Sequence, residues 1–120
     1  ILDIEIEKGK VVLPSGLISG QHLSLTLEYL CLPHYRSDKF DELPKPFKCV
    51  ASDIYRGEAV VLDSGRLSRA LRATISVPSF FSPVWYDSML LADGGMIRNF
   101  PVRDIKEMGA DIIIGSNMFV

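Results

Sequence analysis

The stretch LLADGGMIRNFPV, residues 90 to 102, sets an acid at the end of an apolar run. Two glycines follow it, and an asparagine and a proline stand a few residues on. Asp93 there has two uses. It can form the turn of a DG pair between strands, or it can act, once desolvated, as a general base. The other chemically able residues form weaker constellations. The nine glycines complete neither a GxGxxG nor a Walker loop, so nucleotide binding has no local support. Cys31, His34 and Asp38 lack the second ligand pair of a zinc site. His22 reads as helix surface, and neither histidine lies near a serine motif, which leaves a Ser-His-Asp triad unsupported. None of the twelve serines has glycine at both −2 and +2, so the chain contains no GxSxG nucleophile elbow. Cys31 and Cys49 form no CxxC pair and read as free, buried thiols. Arg66, Arg69 and Arg72 recur every third residue. They read as a solvated helix face with salt-bridge partners, with an anionic lipid surface as the alternative. Phe80, Phe81 and Trp85, just upstream of Asp93, are either core or the wall of an acyl-chain pocket.

These residues need elements to position them. The chain has 120 residues, 48% of them hydrophobic, with mean hydropathy +0.20 and net charge -2. That composition fits one modest globular domain. No basic stripe interleaves with aromatics, which excludes a nucleic-acid partner. No apolar run reaches the ~18 residues of a membrane span, and no signal peptide is visible. The sequence starts at Ile1 rather than methionine and ends on an apolar stretch, so it reads as a piece of a longer protein. Its compartment stays open, membrane-associated or secreted for the parent.

Alternation in residues 2 to 13 predicts a hairpin, Leu2 to Glu7 and Lys10 to Leu13. Ser19 is the candidate N-cap of a helix over Gln21 to Leu32, with Leu23, Leu27 and Leu30 on one face and Pro33 as its stop. Residues 33 to 46 are polar and proline-rich, a surface loop with a short helical turn at Phe40 to Leu43. FKCVASDI (47 to 54) and AVVLD (59 to 63) predict a hairpin turning at Gly57. Ser64 caps a helix from Arg66 to about Ser76, its inner face Leu67, Ala70, Leu71 and Thr74, and Pro78 ends it. Residues 79 to 88 read as an aromatic loop, and Ser88 to Ala92 as a short strand leading to Asp93. Pro101 opens a last helix that closes at Met108 and Gly109. ADIIIGS (110 to 116) has the continuous apolar character of a buried parallel strand. Strand, helix and buried strand together predict an α/β sheet.

GLISGQHL (16 to 23), residues 40 to 84 with SGRLSRALRATISVPSFFSPV at their end, LLADGGMIRNFPV and MGADIIIGSN (108 to 117) follow one another in an order that resembles patatin-like phospholipases. The resemblance is to the bacterial branch related to neuropathy target esterase, and it covers about residues 16 to 117. A lone DGG is worthless as a signal, but SG-x-L-x-x-ALR-A, then S-x-P-x-x-F-x-P-V, then DGG-x-x-x-N-x-P-V at these spacings are specific. The resemblance implies a three-layer α/β/α domain with a mixed sheet and a Ser-Asp dyad. Its DG[AG] motif falls on Asp93, Gly94 and Gly95. Its serine elbow and glycine-rich oxyanion loop would lie upstream, so residues 1–120 would be a partial domain lacking the nucleophile-elbow half. One departure stands out: the family often has asparagine at both positions 98 and 99, and here only Asn99 matches while position 98 is arginine. That bears on the loop's geometry rather than on Asp93.

The implied activity is hydrolysis of phospholipid or lysophospholipid esters, with Asp93 as base and no metal or cofactor. With no histidine, the carboxylate itself must take the serine proton. A solvated aspartate, pKa about 3.9, is a weak base, and desolvation strengthens it. The partners implied are a lipid ester and a membrane surface. The chain alone is expected to be inactive and to self-associate through exposed apolar faces. The alternative is a non-catalytic binding or assembly module on the same scaffold. A small nucleotide- or sugar-binding domain is disfavoured by the missing phosphate loop.

Overall fold

A computed structural model of the chain describes residues 5–7, 10–12, 16–18 and 20–117. The alternating segment at the start forms β1 (Glu5–Glu7) and β2 (Lys10–Val12), paired antiparallel as expected. The ends proposed for this hairpin, Leu2 and Leu13, lie outside the described residues, as does Ser19. After β3 (Gly16–Ile18), helix α1 (Gln21–Cys31) is capped by Gly20, with φ 76° and no side-chain hydrogen bond. Leu23 and Leu27 are half-buried, but Leu30 is exposed, so the expected apolar face is only partly covered. Pro33 lies in a 3₁₀ turn, Leu32–His34, directly behind α1.

The proline-rich segment that follows is not surface throughout. Its 3₁₀ turn, Phe40–Glu42, buries Phe40 completely, with the ring tilted against Phe47 at 6.0 Å between centroids. The Phe40 N–H donates to the Asp63 carbonyl and the Phe47 N–H to the Phe40 carbonyl, which ties the segment to the core. One large aromatic in a polar loop was enough to pull the loop inward.

The hairpin read at residues 47 to 63 is β4 (Cys49–Asp53) and β5 (Glu58–Leu62), turned at Gly57. Helix α2 (Leu67–Thr74) has Arg66, not Ser64, at its N-cap position. Ser64 instead bridges to Lys39, and its carbonyl accepts the Tyr86 hydroxyl at 2.8 Å. The expected inner face is present, with Ala70 buried and Leu67, Leu71 and Thr74 half-buried. Ser68, Arg72 and Ala73 are buried as well, because α2 meets β4, β8 and β7 on one side and α1 on the other. The arginine triplet is therefore a solvated face only at Arg66 and Arg69, which are exposed, and not at Arg72. Arg72 is only 5% exposed, while Arg66 pairs with Glu28 at 3.7 Å.

Residues 79 to 88 hold strands where a loop was expected. Strand β6 (Ser79–Phe81) pairs in parallel with β3, and β7 (Val84–Tyr86) forms an antiparallel hairpin with β8 (Met89–Asp93). Asp87 and Ser88 turn that hairpin with φ of 45° and 65°, the left-handed backbone region whose turns match the right-handed twist of the strands. Pro78 and Pro83 fall before and between these strands, where a missing N–H costs no ladder bond.

The main sheet has the order β5-β4-β8-β7, antiparallel throughout; parallel pairing occurs between β3 and β6. Phe40, Cys49, Ala51, Leu62, Ala70, Ala73, Tyr86 and Leu91 form the core between this sheet and α2. With α1 laid over α2, the described residues build part of an α/β fold. Helix α3 (Val102–Glu107) starts behind Pro101 and ends at Met108, with Gly109 at φ 90°. The parallel strand expected at 110 to 116 is not formed. Ile112 is 84% exposed and Ile114 95%. An apolar run becomes a buried strand only where neighbours pair with it, and none among the described residues does.

Candidate active site

Asp93 is the last residue of β8, an interior strand of the sheet. Its backbone is held on both sides. The Asp93 N–H donates to the Ser76 carbonyl at 2.9 Å, and Ser52 Oγ donates to the Asp93 carbonyl at 2.8 Å. One carboxylate oxygen accepts the Gly95 N–H at 3.2 Å and so caps the 3₁₀ turn Gly94–Met96. Asp93 thus forms a turn, though from a strand into a 3₁₀ turn rather than between two strands, and the side chain remains half-buried rather than enclosed.

The two glycines have different reasons. A Cβ on Gly94 would stand 2.0 Å from the Val50 carbonyl oxygen, so the turn can lie against β4 only without a side chain. Over Gly95, Asn99 Oδ1 and Asp93 Oδ2 converge, 2.8 and 3.1 Å from where its Cβ would be. The Val50 carbonyl also accepts the Thr74 hydroxyl at 2.5 Å. Sheet, helix and turn therefore meet at one peptide.

Arginine at position 98 has a definite place. Its backbone N–H closes the turn onto the Gly94 carbonyl at 2.9 Å. Its Nη1 reaches both carboxylate oxygens of Asp104, at 3.0 and 3.1 Å, across Pro101 on α3. The side chain that departs from the common family pattern fastens the Asp93 loop to the next helix.

These groups line a cleft of about 260 Å³. Lys48, Thr74, Asp93, Arg98, Asn99 and Asp104 make its polar part, and Val50, Pro101, Ile105 and Met108 line it with apolar groups. The cleft offers a carboxylate but no activated nucleophile. Thr74 carries its one hydroxyl, which is committed to Val50. Burial pushes the Cys49 thiol up to about 12, which keeps it protonated at neutral pH. Among the described residues no three of His, Cys, Asp or Glu are grouped to hold a metal ion.

The three aromatics lie elsewhere. Phe80 is 57% exposed, and Trp85 is 56% exposed beside Tyr55, with ring centroids 6.1 Å apart. Phe81 is half-buried under the Arg72 guanidinium, 5.4 Å from its ring centroid. None of the three lines the Asp93 cleft, and none is fully buried core. Ser52, Ser76 and Asp104, which do shape the site, escaped the sequence reading. Each acts across a long separation or a proline, and a lone serine or aspartate carries no short-range sign of that.

A family model for patatin-like phospholipases matches residues 4–105. An uncharacterized NTE family protein of Mycobacterium bovis is 36% identical over 78 residues, 65% of this chain and 22% of its own length. Another from Mycobacterium tuberculosis is 38% identical over 63 residues, 52% of this chain and 11% of its own. A lysophospholipase of Emericella nidulans is 36% identical over 67 residues, 56% of this chain and 4% of its own. The chain spans about a fifth or less of the length of these relatives.

Proposed function

This chain belongs to the patatin-like phospholipase family, and from that premise we propose that it supplies the aspartate half of a serine-aspartate lipid acyl hydrolase. The observation that carries the reading is the placement of Asp93. Its main chain is clamped by Ser76 and Ser52, and its carboxylate opens with Asn99 over Gly95 into a cleft that is mainly apolar. A base whose backbone is fixed in this way loses little in orientation when a nucleophile is brought to it.

The serine is supplied by sequence upstream of these residues, in a GxSxG elbow. Asp93 takes the proton from the serine Oγ as the oxygen attacks the ester carbonyl carbon. The tetrahedral oxyanion is held by backbone N–H groups of the upstream loop. Its collapse breaks the ester C–O bond, and the departing alcohol receives the proton from Asp93. Water then attacks the acyl-serine ester with Asp93 again as base; the serine Oγ leaves with that proton, and the fatty acid is released. The substrates are phospholipid or lysophospholipid esters, met at a membrane surface. The name of the Emericella nidulans relative supports the lysophospholipid.

Asp93→Asn tests the base against the turn. Asparagine keeps an oxygen that can accept the Gly95 N–H, so the turn survives, but it cannot take a proton. In the polypeptide that carries both this segment and the serine elbow, the variant should lower ester turnover by at least about a thousandfold with an unchanged circular dichroism spectrum. The 120-residue chain by itself should show none. Normal turnover in the variant would leave Asp93 a turn residue only.

A further inference from the structure

A second cleft, of about 270 Å³, lies where the first half of α1 meets α2 and the segment after β6. It shares no lining residue with the cleft at Asp93, so what it binds does not depend on that carboxylate being a base. Its wall holds two guanidinium groups, Arg69 and Arg72, together with Gln21, Ser24 and Ser82.

Both cations are set in place by the protein. Arg72 is buried, with Nη1 donating to Ser76 Oγ at 2.5 Å and Nη2 to the Ser82 carbonyl at 3.2 Å, over the Phe81 ring. Arg69 Nη2 donates to the Trp85 carbonyl, and its guanidinium lies 5.8 Å from the Tyr86 ring centroid. Fixed side chains lose little rotamer freedom when they bind, which favours a ligand. Glu28, the acid in the lining, is engaged by the Ser68 hydroxyl at 2.9 Å and by Arg66 at 3.7 Å. Its charge is partly offset there. Burial lowers the Arg72 pKa, a cost that a nearby anion relieves.

We propose that this cleft binds a phosphate group, with Arg69 and Arg72 as its cationic contacts and Ser24, Ser82 and Gln21 donating to the remaining oxygens. A carboxylate is satisfied by one guanidinium fork. Two guanidinium charges with three neutral donors suit a group that has more oxygens and more charge. The phosphate is either a lipid headgroup or a soluble anion, and the two are separable.

The test is a titration of the chain with inorganic phosphate at constant ionic strength, following the arginine Nε–H resonances. Saturable shifts are expected at Arg69 and Arg72 and none at Arg66. Arg69→Gln should weaken the affinity about tenfold, the scale of one lost charge-assisted hydrogen bond. Arg103→Gln, on α3 and outside the cleft, should leave it unchanged, with circular dichroism confirming that both variants fold. Vesicles of phosphatidylcholine with and without phosphatidic acid then separate the sources. Sedimentation that needs phosphatidic acid and Arg69 assigns a lipid headgroup. Phosphate saturation without sedimentation assigns a soluble phosphate. Equal shifts with acetate, equal affinity in the two variants, or no saturation by either probe would overturn the proposal.

Discussion

At the scale of single residues, Gly94 and Cys49 are the positions where contacts forecast the largest responses. Gly94→Ala would drive a methyl group into the Val50 carbonyl, 2.0 Å from the Cβ position, and backbone cannot step aside as a side chain does. The expected cost is about 3 kcal/mol, the upper range for overpacking, read as a lower urea midpoint. Gly57→Ala meets nothing within 4 Å and loses only the ease of its φ of 67°, about 1 kcal/mol. Comparable midpoints for the two would mean that the turn does not rest on β4. Cys49 makes a prediction about pH. Its thiol is pushed up to about 12 by desolvation, while in the unfolded chain it titrates near 8.5. Below pH ~8 both states keep the proton and the thiol contributes nothing to pH dependence. Above that the unfolded chain loses the proton first and binds fewer protons than the native state. Stability should therefore fall through the alkaline range, by up to about 1.4 kcal/mol per pH unit, until the native thiol ionises near 12. Tyr86, raised chiefly by desolvation, acts in the same direction at higher pH. Thermal midpoints between pH 8 and 11 should show a decline that is shallower in Cys49→Ala.

At the scale of elements, the Asp93 loop and α3 behave as one unit if the Arg98–Asp104 pair joins them. Arg98 is partly exposed and Asp104 nearly buried, so the pair lies between the surface and interior cases. Asp104→Ala should cost about 1–3 kcal/mol. It should also raise amide exchange at Gly95 and Ile97, next to the cap that Asp93 provides. Exchange confined to α3 would show that the loop keeps its own shape. This coupling was invisible in the sequence, where Arg98 was only a departure from a common pattern. What could be read there was local. Strands β4, β5 and β8 and helices α2 and α3 announced themselves by apolar periodicity, by Gly57 and by the proline before α3. What could not be read depended on a distant neighbour. Arg72 looked solvated because nothing in SGRLSRALR says that α1 lies over it. Strands β6 and β7 looked like loop because Pro78 and Pro83 punctuate them. The Asp93 motif was legible as a pattern, whereas its clamps, Ser52 and Ser76, come from other elements.

At the scale of the whole molecule, apolar surface decides behaviour in solution. Ile114 lies open beside Phe100 and Ile105, and Ile112, Met96 and Ile97 are also exposed. On α1 and at its C-cap, Leu25, Tyr29 and Leu32 recur at i, i+4 and i+7 and are likewise exposed. Strands β5 and β7 form the edges of the main sheet, and unpaired strand edges are templates for further pairing. Contiguous apolar patches of this kind are rare on monomers. The chain should therefore associate as its concentration rises, seen as a growing weight-average mass in sedimentation velocity. Two sources of association can be told apart. If the run at 110 to 116 drives it, a variant carrying Ile112→Lys and Ile114→Lys should shift the mass toward the monomer, because a charge in a dry interface is costly. If the α1 face drives it, Leu25→Lys with Tyr29→Lys should do so instead. A constant monomer mass up to millimolar concentration would show that neither face is adhesive.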